Sequence, residues 1–208
     1  MLVACLDLEG VLLPEIWINV AEKTKIPELR LTTRDISDYD ELMRHRLKIL
    51  KENDITIELI KDVIDGLSPL DGARDFLYKL KEKFQIIILS DTFYQFAMPL
   101  MKKLDYPTLF CHKLIIDNNG YIVDYKLRLN DSKRNAVIKL KELNFNIIAT
   151  GDSYNDITML KEADRGILFR PPQNVINEFP QFPVSVDYNG LLEEFIKAEE
   201  EISKLIKI

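Results

Sequence analysis

"VACLDLEGVLLPE" (residues 3–15) begins as a short apolar run and then stops on Asp7, Glu9 and Gly10. The run reads as a buried β-strand, apolar on both faces, as strands in parallel sheets are. Alternation along a strand puts Asp7 and Glu9 on one side. Two like charges so close repel, and the pair costs stability unless a cation or a proton lies between them.

Four more runs have the same character: "QIIILSD" (85–91), "TLFCHKL" (108–114), "NIIATGD" (146–152) and "RGILF" (165–169). Helical patterns separate most of them. "DGARDFLYKLKEKF" places Ala73, Phe76, Leu77 and Leu80 on one stripe. "SKRNAVIKLKEL" places Val137, Ile138 and Leu140 on one stripe, and "NDITMLKEA" Ile157 and Leu160. Strand and helix in alternation predict an α/β fold, a parallel sheet with helices on both faces.

Two segments interrupt the alternation. Residues 15–70 hold no strand signal but three helical patterns, "EIWINVAEKT", "DYDELMRHRLKILKEN" and "IELIKDVIDGL", with "TTRDIS" as connecting material. They predict a helical cap inserted after the first strand, leaving 1–14 and 71–208 as the core. "LIIDNNGYIVDYKL" carries the Asn-Gly signal of a hairpin. "RPPQNVINEFPQFP" reads as a packed loop or short helix. The charged C-terminal helix has an apolar stripe, Ile202, Leu205 and Ile206, that docks either on its own domain or on a second copy in a homodimer.

Bulk composition narrows the function. With 47% hydrophobic and 30% charged residues in 208, the chain suits a soluble globular protein. A net charge of −6 argues against a nucleic-acid surface, which needs a basic stripe. No apolar run approaches the roughly 18 residues of a membrane span, and no secretory leader precedes the first strand. Cys5 and Cys111 have no CxxC partner and read as small buried hydrophobes in a reducing compartment, the cytoplasm. His45 and His112 read as structural.

The three longest strand signals end in polar groups: Asp7 with Glu9, Ser90 with Asp91, Gly151 with Asp152. Strand C-termini in an open parallel sheet line a common crevice, so these residues should meet. "GDSYND" adds Asn155 and Asp156, and Lys133 opens the preceding helix. Asp7, Glu9, Asp152 and Asp156 would bring about four negatives together, with Lys133 the one obvious positive. An all-oxygen acidic cluster selects Mg²⁺ over zinc, and Mg²⁺ beside a carboxylate suits phosphoryl transfer. Asp7, first after the strand, is the candidate nucleophile. Glu9 is the candidate acid and base. Ser90 can donate to a phosphoryl oxygen and Lys133 supplies charge.

"DLEGV", "ILSDT", "DSKR" and "GDSYND" resemble the four motifs of the haloacid dehalogenase superfamily, and the whole chain is similar to its phosphoserine phosphatase-like branch. The resemblance implies a Rossmann-like core and a Mg²⁺-dependent phosphatase acting on O-phosphoserine through an aspartyl-phosphate, with transfer to homoserine as a second outcome. It assigns Mg²⁺ to Asp7, the Glu9 carbonyl and Asp152, with Asp156 supporting them. Ser90, Asp91, Lys133 and Asn155 would contact the phosphate or its surroundings. Glu15 would take the substrate ammonium and Arg46 its carboxylate, which suits a guanidinium fork. Two positions depart from the pattern: Glu9 stands where most members have Asp, and Asp91-Thr92 where related phosphatases have two glycines. Another small phosphomonoester, such as a sugar phosphate or nucleotide, and a phospho-accepting receiver module are the alternatives. The cap has no place in a receiver.

Overall fold

The computed structural model describes every residue except Arg34, Ser37, Lys207 and Ile208, and of Ile206 only the backbone. Its strands are β1 (Leu2–Leu6), β2 (Gln85–Phe93), β3 (Thr108–Ile116), β4 (Ile122–Lys126), β5 (Asn146–Gly151), β6 (Arg165–Phe169) and β7 (Val184–Ser185). They form one sheet in the order β4-β3-β2-β1-β5-β6-β7. All neighbours run parallel except β3 and β4, the hairpin expected at Asn119-Gly120. The five strand signals of the sequence all appear. β4 and the two-residue β7 complete the sheet.

The helices are α1 (Ile16–Thr24), α2 (Tyr39–Glu52), α3 (Ile57–Asp65), α4 (Ala73–Lys81), α5 (Tyr94–Lys103), α6 (Ser132–Glu142), α7 (Ile157–Glu162), α8 (Gln173–Glu178) and α9 (Tyr188–Ile206). Alternate residues of β1 serve two apolar clusters. Ala4 and Leu6 pack with Phe76, Leu77 and Leu80 of α4 and Phe195 of α9. Val3 and Cys5 pack with Val137 of α6, Ile157 and Leu160 of α7, and Val175 of α8. Each buried Leu, Ile or Phe contributes about 1.5–3 kcal/mol, so helices on both faces are what make the sheet stable.

Two side-chain expectations need correction. Ile138 is half-exposed; it lies next to buried Val137 and so points roughly 100° away around the helix. In α9, Ile202 is buried in the domain's own core while Leu205 is 65% exposed. The stripe therefore docks internally through Ile202, and the Ile206 side chain lies outside the described residues. Arg34 and Ser37 of "TTRDIS" lie outside them too.

Helices α1–α3 stand between β1 and β2 in the chain and pack over the C-terminal ends of the strands. The backbone leaves and returns at one place, where Leu70 N–H donates to the Leu12 carbonyl at 3.0 Å. One apolar cluster continues from Leu6 of the sheet through Ile16, Trp17, Met43 and Ile60 to Phe96 of α5, and Trp17 meets Phe96 edge-on at 5.6 Å. The N-terminal half of α2 rests on the β3–β4 hairpin through Arg44 and Asp124 at 2.8 Å and through Tyr125 and Asp40. Among the described residues no helix is long and apolar enough to cross a membrane.

Candidate active site

Three adjacent central strands deliver the site. β1 ends at Leu6, and Asp7 N–H continues its ladder by donating to the Thr150 carbonyl of β5 at 3.0 Å. The chain then turns tightly, with Leu12 and Leu13 N–H both donating to the Leu8 carbonyl. Gly10 makes this turn possible. Its φ is +78°, and a Cβ there would lie 2.6 Å from the Asp152 carboxylate. Gly151 at the end of β5 is equally tight, since a Cβ would meet Asp156 at 2.3 Å. The two motif glycines thus let Asp152 and Asp156 stand against the backbone.

β2 contributes through a bulge. Leu89 pairs with Phe110 and Phe93 with His112, so four steps along β2 match two along β3. The surplus swings Ser90, Asp91 and Thr92 out of the ladder and into a cavity of about 90 Å³. Asp7, Glu9, Glu15, Arg46, Lys133, Asp152 and Asn155 line the same cavity. Every residue singled out from the sequence is there except Asp156, which lies fully buried beneath it.

Asp156 is spent on positioning. Its Oδ2 accepts from the Asp152 and Ser153 N–H groups at 3.0 and 3.1 Å, and its Oδ1 accepts from Lys133 Nζ at 2.7 Å. Lys133 also donates to Asp7 Oδ1 at 2.9 Å and faces Asp91 Oδ2 at 3.4 Å. Burial opposes charge on this lysine, but Asp156, Asp7 and Asp91 together hold its pKa well above the usual lysine value. Asp7 is pushed well up, first by burial and then by Asp156 and Asp152, against the pull of Lys133. Carboxylate oxygens of Asp7, Asp152 and Asp156 lie within 4.8 Å of one another. More negative charge gathers here than one ammonium balances, and all donors are oxygens: the set fits a hard dication.

Glu9 lives in different surroundings. Its Oε2 accepts from Ile16 N–H, at the start of α1, at 2.8 Å. Burial and then Glu15 raise its pKa to about 8, against the Ile16 hydrogen bond, Arg46 and Thr92. Asp7 and Glu9 share a cavity, but β1 ends at Leu6 and the turn at Gly10, not strand alternation, brings them together; they answer to different partners, Lys133 below and α1 and α2 above.

Arg46 corrects the charge count, since it is a second cation in the cavity beside Lys133. It is buried, its guanidinium stacks 4.5 Å over the Trp17 ring, and it donates to the Leu31 carbonyl at 2.8 Å. Burial lowers its pKa to about 10, against Tyr39, Glu9 and Glu15. Among the described residues its Nε is buried and has no hydrogen-bond partner, a costly state for a donor. Sequence reading missed Trp17, Tyr39 and Thr92 as wall residues. The hydroxyl and aromatic residues flanking "SD" and Glu15 were the available signals. Burial pushes the thiols of Cys5 and Cys111 up to about 12, so neither serves as a nucleophile.

The strand ends thus gather buried carboxylates, a lysine and a serine hydroxyl into one cavity. A family model described as haloacid dehalogenase-like hydrolase matches residues 2–164, and the chain belongs to that family. Phosphoserine phosphatase ThrH of Pseudomonas aeruginosa is 58% identical over 198 residues, covering 95% of this chain and 97% of that protein. A phosphoserine phosphatase of Pseudomonas syringae pv. tomato is 58% identical over 196 residues, covering 94% and 83%. A solved apo phosphoserine phosphatase shares the fold, with a TM-score of 0.77 at 22% identity over 92% of this chain and 97% of that one. The receiver-module alternative is set aside by the family match.

Proposed function

We propose that this protein hydrolyses O-phosphoserine through a phosphoryl group carried on Asp7, and that homoserine can replace water as acceptor. One observation carries the substrate class: the buried guanidinium of Arg46 shares the cavity with Glu15. A fixed guanidinium and a carboxylate side by side suit an α-carboxylate and an α-ammonium, the two ends of an amino acid. In this reading residues 15–70 are a cap over a core of 1–14 and 71–208, and its closure excludes water. The enzyme would work in the cytoplasm, where its two free thiols stay reduced.

The chain's own groups divide the chemistry. An Asp7 oxygen attacks phosphorus, and the bond to the seryl oxygen breaks. Glu9 gives its proton to that oxygen as serine leaves. Glu9, now ionised, takes a proton from water or from the acceptor hydroxyl, whose oxygen attacks the phosphorus and frees Asp7. Ser90 and Lys133 donate to the phosphoryl oxygens, and Asn155 borders them. Asp7, Asp152 and the Glu9 carbonyl would hold Mg²⁺, with Asp156 orienting Asp152. The ion supplies charge neutralisation and alignment of the phosphoryl oxygens, and it favours the ionised form of Asp7.

Phosphate release from a panel of phosphomonoesters, with and without homoserine, tests the whole reading. Phosphoserine should lead the panel, and homoserine should divert product to O-phosphohomoserine. A chelator should abolish turnover, and added Mg²⁺ should restore it. Equal rates on sugar phosphates, or turnover indifferent to chelator, would sink the proposal. A narrower expectation concerns Arg46→Ala. Loss of a charged hydrogen-bonding partner should raise KM for phosphoserine by roughly 10- to 100-fold. KM for p-nitrophenyl phosphate, which has no carboxylate, should change little.

A further inference from the structure

Asp91 poses a problem that the mechanism leaves unsolved. It lines the cavity that must admit a phosphoryl dianion, where Asp7, Glu9, Glu15 and Asp152 already stand. A further carboxylate there repels the substrate and competes for Lys133. Its side chain is 28% exposed, and it also lines an adjoining chamber of about 200 Å³ together with His112 and Ser132.

We propose that His112 is a positioning residue for phosphoryl binding: its Nε2 holds the Asp91 carboxyl on the chamber side, so that Lys133 stays with Asp7 and the phosphoryl group. The inference rests on the phosphatase reading above. His112 lies on β3, opposite Phe93 at the end of the β2 bulge. Its Nδ1 accepts from the Arg128 N–H at 3.1 Å, which leaves the proton of the neutral ring on Nε2. That nitrogen faces Asp91 Oδ1 at 3.5 Å. Ser132 Oγ faces the same oxygen at 3.4 Å.

The ring cannot swing away. It is 3% exposed, and Tyr39 and Phe93 pack against it with ring centres 6.0 and 6.3 Å distant. Tyr39 in turn donates its hydroxyl to the Asp91 carbonyl at 2.7 Å. Asp91 is therefore contacted from several sides, its carbonyl by Tyr39 of α2 and its carboxyl by Ser132 of α6 and, at 3.5 Å, by His112 of β3. Burial alone would raise its pKa, yet Lys133 and then His112 hold it near 2. Lys133 prefers its nearer partners, at 2.7 and 2.9 Å, to Asp91 at 3.4 Å. Asp91 Oδ2 already stands 3.4 Å from Lys133; removing the Nε2 contact lets it close that gap and draw the ammonium off the phosphoryl site.

Two substitutions separate this role from simple packing. In His112→Gln, the amide nitrogen reaches the place of Nε2 and still donates to Asp91. In His112→Asn, the amide oxygen keeps the Arg128 contact and no donor from position 112 reaches Asp91, leaving Ser132 alone on Oδ1. With Mg²⁺ present, H112N should lose roughly 10- to 100-fold in kcat/KM, mostly through KM, the worth of a hydrogen bond to a charged group. H112Q should stay within about threefold, and H112N added to Asp91→Asn should cost almost nothing further, because coupled residues are non-additive. The same ratios are expected for phosphoserine and p-nitrophenyl phosphate, since His112 acts on the phosphoryl end. Parental rates in H112N, or equal losses in H112N and H112Q that persist in the D91N background, overturn the proposal. If p-nitrophenyl phosphate is turned over and phosphoserine is not, the substrate reading fails while the His112 comparison still decides its own question.

Discussion

Asp7→Asn should reduce phosphoserine turnover by at least roughly 10⁴-fold, the scale of losing a covalent nucleophile. The amide is nearly isosteric, so binding geometry survives, but its oxygen is a poor nucleophile and forms no acyl phosphate. The folded protein should tolerate the change. Asp7 is buried beside Asp152 and Asp156, and a neutral amide relieves that repulsion while giving up the charge pair with Lys133. In metal-free buffer the variant's melting temperature is expected to match or exceed the parent's. Phosphate release measured beside thermal melting separates lost chemistry from lost fold. A well-folded Asp7→Asn protein that still hydrolyses phosphoserine at the parental rate would remove Asp7 from its role.

Glu9→Gln should cost about 10²–10⁴-fold on phosphoserine, the usual range for a general acid and base. The loss in the first half-reaction depends on the leaving group. Serine departs as an alcohol and needs the proton, whereas p-nitrophenolate leaves unaided. The variant should therefore release a burst of nitrophenolate and then stall, because nothing activates water to free Asp7. Stopped-flow absorbance reads this directly, and a variant with neither burst nor slow phase contradicts the assignment.

The pH profile carries the same signature. Glu9 titrates near 8 in the fold instead of near 4.5, so it keeps its proton through neutrality. Parental kcat/KM should fall as pH rises through about 8, and Glu9→Gln should lack that limb. Stability has its own sign. Between the two pKa values the folded chain retains a proton that the unfolded chain has released, so stability drops as pH rises from about 4.5 to 8 and is level above. The Gln variant should not show the Glu9 share of this drop in a series of denaturant melts.

Much of the site was legible because its residues follow strands that can be recognised locally. Asp7, Ser90 and Asp152 each come just after or near the end of an apolar run, and the ends of β1, β2 and β5 adjoin in a parallel sheet. Lys133 follows no strand, yet it is 4% exposed, because α6 begins directly over the ends of those strands. Arg46 entered only through the family resemblance; its burial under contact with Trp17 belongs to the fold.

What the sequence determined by itself is the order of strands and helices and the identity of the acids at their ends, since hydrophobic period and turn chemistry act over a few residues. The tertiary structure alone decided how burial and neighbours shift each acid, which groups Asp91 faces and which histidine stands behind it. Desolvation and Coulomb interactions depend on neighbours far away along the chain: burial and Glu15 push Glu9 up, and Asp91 answers to Lys133 and His112. No local pattern encodes the two-residue surplus in β2 that brings those groups together.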